Sequence, residues 1–263
     1  MELTHLVADE AWRIEDKFSR YIRGNIIDRI NNAGGRRISV DDETAELIKF
    51  AMTLYELSGH LFDISSGVLR KAWRFDGGDG VPEQDAIDEV LQQVGWHKVS
   101  WQPPDLEMPA GMEIDLGGIG KEYAVDRCAG MIREQDGPSC LVNFGGDLAA
   151  SSAPQQRRAW KVAIEGDTPD AADRVLELQQ GAIATSGDAR RYLQKDGIRY
   201  SHILDPTTGW PIVGAPASIT VAAETCTQAG MISTLAMLKG RDAEAFLKLA
   251  EVRYWCRRST RRA

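Results

Sequence analysis

Glu113-Ile114-Asp115-Leu116-Gly117-Gly118-Ile119-Gly120-Lys121-Glu122-Tyr123-Ala124-Val125-Asp126 runs from a short apolar strand pattern through a glycine-rich turn into a helical pattern. Glycines let a backbone come close to a ligand, and the free amides of a helix start attract anions. Lys121 adds a positive point charge. The same residues also suit a tight strand-to-helix turn with no ligand, because the spacing is neither that of a Walker loop nor Gly-x-Gly-x-x-Gly.

Outward from this stretch the two halves of the chain differ. Upstream, helical spacing of Val7, Ala11, Ile14, Phe18 and Tyr21 predicts a helix over 6–22. Further helices are expected over 42–58 and over 82–94, the latter opening on Pro82 and closing at Gly95. Phe75-Asp76-Gly77-Gly78-Asp79-Gly80 reads as a flexible connector. Downstream, strands are expected at 96–101, 111–115, 139–144, 160–165, 174–185, 198–204 and 216–223, with helices at 120–134 and 227–238. Mixed order of this kind predicts an α+β fold with largely antiparallel sheets and flanking helices. The expected division is one domain over 1–263: a helical part to about 95, a strand-rich part from 96 to about 256, and an exposed basic tail at 257–263.

Composition excludes several classes. With 263 residues, 43% hydrophobic and 27% charged, the chain can bury a substantial core. A net charge of -8 argues against general affinity for nucleic acid or an anionic membrane, so a bound phosphate needs local donors or a metal. Cys128, Cys140, Cys226 and Cys256 are far apart and fit buried thiols in a reducing compartment. Neither a signal peptide nor a membrane-spanning run is apparent, which makes cytoplasm the expected location.

Three more loops carry polar chemistry. Asn143-Phe144-Gly145-Gly146-Asp147-Leu148 ends a strand in a hairpin-type turn. In Ala184-Thr185-Ser186-Gly187-Asp188-Ala189-Arg190-Arg191-Tyr192, the small donors suit phosphate oxygens and Arg190 or Arg191 could add charge. Tyr200-Ser201-His202-Ile203-Leu204-Asp205-Pro206-Thr207-Thr208-Gly209-Trp210-Pro211 follows, with His202 on a strand beside a turn begun by Asp205. A histidine there can take a proton from a hydroxyl near neutral pH, or serve only the fold. Finally, Thr225-Cys226-Thr227-Gln228-Ala229-Gly230-Met231-Ile232-Ser233-Thr234 starts a helix whose hydroxyls could cap it or serve a hard cation.

In this order, Asp115–Asp126, Asn143–Leu148, Ala184–Tyr192 and Tyr200–Pro211 resemble the FAD:protein FMN transferase family, ApbE, once labelled thiamine-biosynthesis lipoproteins. The resemblance runs from about residue 10, through Ser19-Arg20-Tyr21 and Phe62–Leu69, to about residue 256. It implies a two-lobed fold and a Mg²⁺-dependent enzyme. That enzyme would move FMN from FAD onto a Ser or Thr hydroxyl in the flavinylation motif of an acceptor flavoprotein and release AMP. Some relatives instead hydrolyse FAD to FMN and AMP.

By matching positions, the resemblance assigns the Gly118 carbonyl and the Thr234 side chain to the metal. Tyr21, Asp63, Lys121, Asp126, Ser186, Gly187, His202 and Asp205 would contact or frame the flavin nucleotide, with His202 the candidate base. The family's third protein ligand, an Asp in an Ala-Asp-x-x-x-Thr pattern, aligns with Gly230, where the acid is missing. Three accounts stay open: a neighbouring acid such as Glu224 or Asp188 substitutes, the enzyme is slow, or the chain binds flavin without turnover. The family also usually opens with a strand carrying a Met-Gly-Thr-like flavin contact. Here a helix is expected almost at once, so part of the flavin pocket would be absent.

Overall fold

A computed structural model of the chain describes residues 2–155, 158–165, 172–188 and 191–258. Helix α1 (Glu2–Phe18) buries Ile14 and Phe18, and a short α2 (Ile26–Asn31) follows, capped by Asn25. Strand β1 (Ile38–Ser39) leads into α3 (Asp42–Ser58). Asp41 caps α3 by accepting the Thr44 N–H at 3.1 Å, and Gly59 ends it at φ 69°, the left-handed position glycine tolerates. Two 3₁₀ segments, Ile64–Lys71 and Trp96–Lys98, flank α4 (Gln84–Leu91). Strands β2 (Ser100–Gln102) and β3 (Asp105–Glu107) complete a small sheet of order β1-β3-β2.

The second half holds α5 (Gly120–Glu134), β4 (Leu141–Phe144), β5 (Asp147–Ala150), the hairpin of β6 (Trp160–Glu165) and β7 (Ala172–Leu178), and β8 (Gly181–Gly187). A second hairpin, β9 (Tyr192–Lys195) with β10 (Ile198–Ser201), precedes β11 (Ser218–Ala223), α6 (Cys226–Leu238), α7 (Ala243–Leu249) and β12 (Arg253–Arg257). A five-stranded sheet of order β12-β11-β8-β5-β4 is the centre, and every described strand pairing is antiparallel.

Strand alternation explains how that sheet is covered. Ala149, Ala182, Ala184, Ile219 and Val221 face the main core with α5 and α6, whereas Leu148, Ala150 and Ile183 face the other way and pack with the β6–β7 hairpin. Alanines on the inner face let α6 lie close. Ala229, Ile232, Leu235, Ala236 and Met237 are buried along it, and each large apolar side chain so buried contributes about 1.5–3 kcal/mol. A separate core gathers Val68, Leu69, Trp73, Ile87 and Leu193, where the Trp73 indole donates to the Gly209 carbonyl at 2.8 Å.

Several expectations are corrected. The first helix stops at Phe18, so Tyr21 sits in the following loop. Residues 111–115 form no strand: Ile114 exchanges hydrogen bonds with the Asn31 side chain, and the Asp115 N–H bonds to the Ile64 carbonyl. The expected strand 96–101 begins as a 3₁₀ turn, and 174–185 is two strands in different sheets. The connector at 75–80 is pinned, because Gly77 and Gly78 bond to Tyr192 and Gln194 of β9. Arg257 is not tail but the last residue of β12, and Arg258 pairs with Glu244 at 3.0 Å. The rest of the expected tail lies outside the described residues, as does Arg190.

Candidate functional site

Helices α5 and α6 run antiparallel across the inner face of the sheet. Asp126 on α5 accepts the Cys226 and Thr227 N–H groups at 2.7 and 2.8 Å, and so caps the start of α6. One turn earlier on α5, Glu122 meets Gly230, one turn later on α6. A Cβ at residue 230 would stand 2.6 Å from Glu122 Cγ and 3.0 Å from its Oε1. Glycine is therefore what admits the Glu122 side chain to this crossing.

Glu122 is 8% exposed and Asp147, at the start of β5, is 1% exposed. Asp147 Oδ1 accepts the Thr185 N–H at 2.8 Å, and its Oδ2 lies 2.5 Å from Lys121 Nζ, in ion-pair range without hydrogen-bond geometry. Glu122 Oε2 and Asp147 Oδ2 are buried with no hydrogen-bond partner among the described residues. Burial first, and then the neighbouring Asp147 charge, push the Glu122 carboxyl well above the usual carboxylate range. Burial also opposes charge on Lys121, but Asp147 more than offsets it and holds the ammonium above its ordinary pKa.

Hydroxyls close the cluster. Ser186 Oγ lies 2.9 Å from both Ser233 Oγ and Thr234 Oγ1, and Ser233 donates to the Gly230 carbonyl at 3.0 Å. Among the described residues no group of three or more His, Cys, Asp or Glu forms a metal site. The donors here are two carboxylates and small hydroxyls, an all-oxygen set that fits a hard divalent cation such as Mg²⁺.

A cavity of about 460 Å³ adjoins the cluster through Lys121, between the end of α1 and the glycine turn, and is lined by Phe18, Arg20, Tyr21, Gly117, Gly120 and Phe144. Arg20 pairs with Asp115 at 2.7 Å and stacks on Tyr21, 5.1 Å from the ring centre. Tyr21, 76% exposed, stands at the mouth. Gly118 faces the Phe62 ring, 3.3 Å from where its Cβ would be.

Of the residues expected from sequence, Lys121, Ser186 and Thr234 converge on the cluster, and Tyr21 reaches the cavity. Gly187 lets β8 lie against the start of β11, since a Cβ there would stand 2.6 Å from the Ala217 carbonyl. Asp63 and Asp126 commit both carboxylate oxygens to backbone amides, Asp63 to Ser65 and Trp96 at 2.8 and 2.9 Å. Asp205 bonds the Thr207 N–H at 2.8 Å and shapes its turn. His202 lies just past β10, its ring edge-on to Phe75. Its Nδ1 is 3.2 Å from the Arg191 carbonyl, which can only accept, so Nδ1 carries the proton and Nε2 keeps a free lone pair. Burial, then Arg191, holds this imidazole below its ordinary pKa.

Two acids were candidates to substitute at Gly230. Glu224 is exposed at the Gly181 end of β8, roughly 16 Å along the sheet from Ser186 by strand rise, and Asp188 is engaged by Arg199 at 3.2 Å. Glu122, Asp147 and Arg20 are the site residues to which the sequence assigned no role, whereas the hydroxyls of Ser233 and Thr234 were both read as candidates for a cap or a cation. The available signal was an acid and a lysine adjacent at a helix start, which reads equally well as a solvated first turn.

The family model for ApbE matches residues 3–255 of this chain. The chain belongs to the ApbE family. It is 30% identical over 238 residues to the FAD:protein FMN transferase of Vibrio cholerae, a match that covers 87% of this chain and 71% of that protein. The corresponding protein of Treponema pallidum is 29% identical, with 82% of this chain and 65% of that protein covered. Among solved structures, an ApbE protein from Thermotoga maritima superposes with a TM-score of 0.87 at 31% identity, covering 97% of this chain and 85% of that one. The apo flavinyl transferase ApbE of Pseudomonas stutzeri gives 0.82 at 27%, covering 97% and 81%. This ApbE chain thus shares the α+β fold of those proteins throughout its central sheet and helices.

Proposed function

We propose that this chain is an FAD:protein FMN transferase. The observation that carries this reading is the junction of an aromatic-mouthed cavity with a buried cluster of Lys121, Glu122, Asp147, Ser186 and Thr234. The flavin ring system lies against Tyr21 and Phe18, and the diphosphate reaches the glycine turn and Lys121. The acceptor's Ser or Thr oxygen attacks the FMN-side phosphorus while the bond to the bridging oxygen breaks, and that oxygen leaves with AMP. The hydroxyl proton passes to Nε2 of His202, which burial keeps neutral at pH 7. A divalent cation at the cluster would offset the diphosphate's negative charge in the loose transition state. Lys121 supplies part of that charge, and the buried hydroxyls position oxygen atoms.

The acceptor is a flavoprotein bearing a Ser/Thr flavinylation motif, and FAD is the donor. All four cysteines are free thiols, which supports a reducing compartment such as the cytoplasm; no helix among the described residues is long and apolar enough to cross a membrane.

The test is incubation of the chain with FAD, Mg²⁺ and an acceptor domain, read by intact mass. A gain of one FMN on the acceptor with stoichiometric AMP is expected. AMP and FMN without an adduct would assign hydrolysis instead, and FAD left whole would leave a flavin-binding protein.

A further inference from the structure

We propose that Glu122 is the carboxylate ligand of a divalent cation bound between α5 and α6, with Asp147 and the Thr234 hydroxyl as the protein's other oxygens. The inference deepens the transferase reading, because it names the metal-holding residues of the same site.

Two buried carboxylates side by side are unstable unless a proton or a cation lies between them. Here each presents one oxygen with no hydrogen-bond partner among the described residues, Glu122 Oε2 and Asp147 Oδ2, and both side chains are more than nine-tenths buried. Lys121 balances only one of the two charges. Glu122 Oε2, with no hydrogen-bond partner among the described residues, therefore marks a place for further positive charge beside the Lys121-paired Asp147, and the side chains free to ligate a cation there offer oxygen.

Gly230 supplies the second, independent observation. The three atoms nearest its absent Cβ all belong to Glu122, which enters from the opposite helix. Thr234 stands one turn along on the same face of α6, within about 6 Å by helix geometry. An acid on residue 230 would project its carboxylate into the space that Glu122 fills. The carboxylate expected from α6 is thus delivered from α5, and the two placements exclude each other sterically.

Full-length protein freed of FAD is titrated with Mn²⁺, with free ion followed by electron paramagnetic resonance and melting followed with and without Mg²⁺. Wild type binds one Mn²⁺ and melts higher in Mg²⁺. Glu122→Gln keeps the shape and weakens Mn²⁺ by at least about tenfold. Gly230→Asp alone binds no better than wild type, because its side chain collides with Glu122. The double change Glu122→Gly with Gly230→Asp restores affinity to within about threefold, which a merely destabilised mutant could not do. Wild-type Mn²⁺ affinity in Glu122→Gln, or no binding by wild type, would overturn the proposal. Neither measurement uses FAD or an acceptor, so failure here is distinct from failure of FMN transfer.

Discussion

Asp126 offers a clean separation of scaffold from ligand contact. The resemblance places it among residues that frame the nucleotide, yet both its oxygens bond to amides at the start of α6, at 2.7 and 2.8 Å. Replacing it by Ala removes two bonds to a charged acceptor, each worth about 1.5–3 kcal/mol, and a negative charge at a helix N-terminus worth about 0.3–1 kcal/mol more. Thr227 is half-buried, so water recovers part of this. A net loss of about 2–3 kcal/mol follows, which for a urea slope near 3 kcal/mol/M is a midpoint shift of about 0.7–1 M. Asp126→Asn keeps one acceptor and should lose about half as much. Urea unfolding followed by far-UV circular dichroism checks the shift, and fluorescence titration checks FAD affinity in native buffer. An unchanged midpoint, with FAD affinity alone falling, would refute the capping argument.

Other expectations follow from single contacts. Arg13 first, with Lys17 and Tyr123, holds the Glu43 carboxyl down to about 2 from an ordinary 4.5. Its contribution is therefore complete above pH 4.5 and is lost as pH falls towards 2; Glu43→Gln should flatten this acid limb, by about 1–2 kcal/mol after solvent screening, as read by urea midpoints against pH. Gly209 sits at φ 71° with the Ile87 methyl against its absent Cβ, so Gly209→Ala should destabilise by at least about 2 kcal/mol and lower Tm by roughly 4–8 °C in a thermal melt. Tyr21→Ala should weaken FAD binding by about 0.5–1.5 kcal/mol through lost ring contact, measured by fluorescence titration, with the melting temperature little changed. In His202→Gln, FAD affinity should persist while FMN transfer drops by about 10²–10⁴; in wild type, transfer should decline only as pH falls below the ordinary imidazole range, because burial lowers that pKa.

Helices flanked by turn or capping residues at one end or both were legible in the sequence. The expected spans 42–58 and 120–134 coincide with α3 and α5, and 227–238 misses α6 by one residue. Elements that hide their purpose were not. Strand β5, Asp147-Leu148-Ala149-Ala150, lacks β-branched residues: Asp147 belongs to the site, Ala149 makes room for the helices on the inner face, and Ala150 packs on the other face with the β6–β7 hairpin. Strand β12 carries arginines at both ends and merges with the basic terminus in composition. At the site, the glycine turn and the hydroxyls were visible as chemistry, but Glu122 reads as a surface acid until the antiparallel crossing of α5 and α6 buries it. The missing acid at 230 was legible; its replacement was not, because 108 residues separate two positions that only the tertiary fold makes neighbours.

That crossing has an evolutionary consequence. Because side chains at 122 and 230 compete for one volume, the acid cannot migrate from one helix to the other by a single tolerated change: the intermediate either holds two colliding acids or none. The pair should show sign epistasis, with each single exchange harmful and the double exchange near neutral. A search that scores function by one alignment column would mark such a chain as dead, whereas scoring by charge at a point in space would keep it.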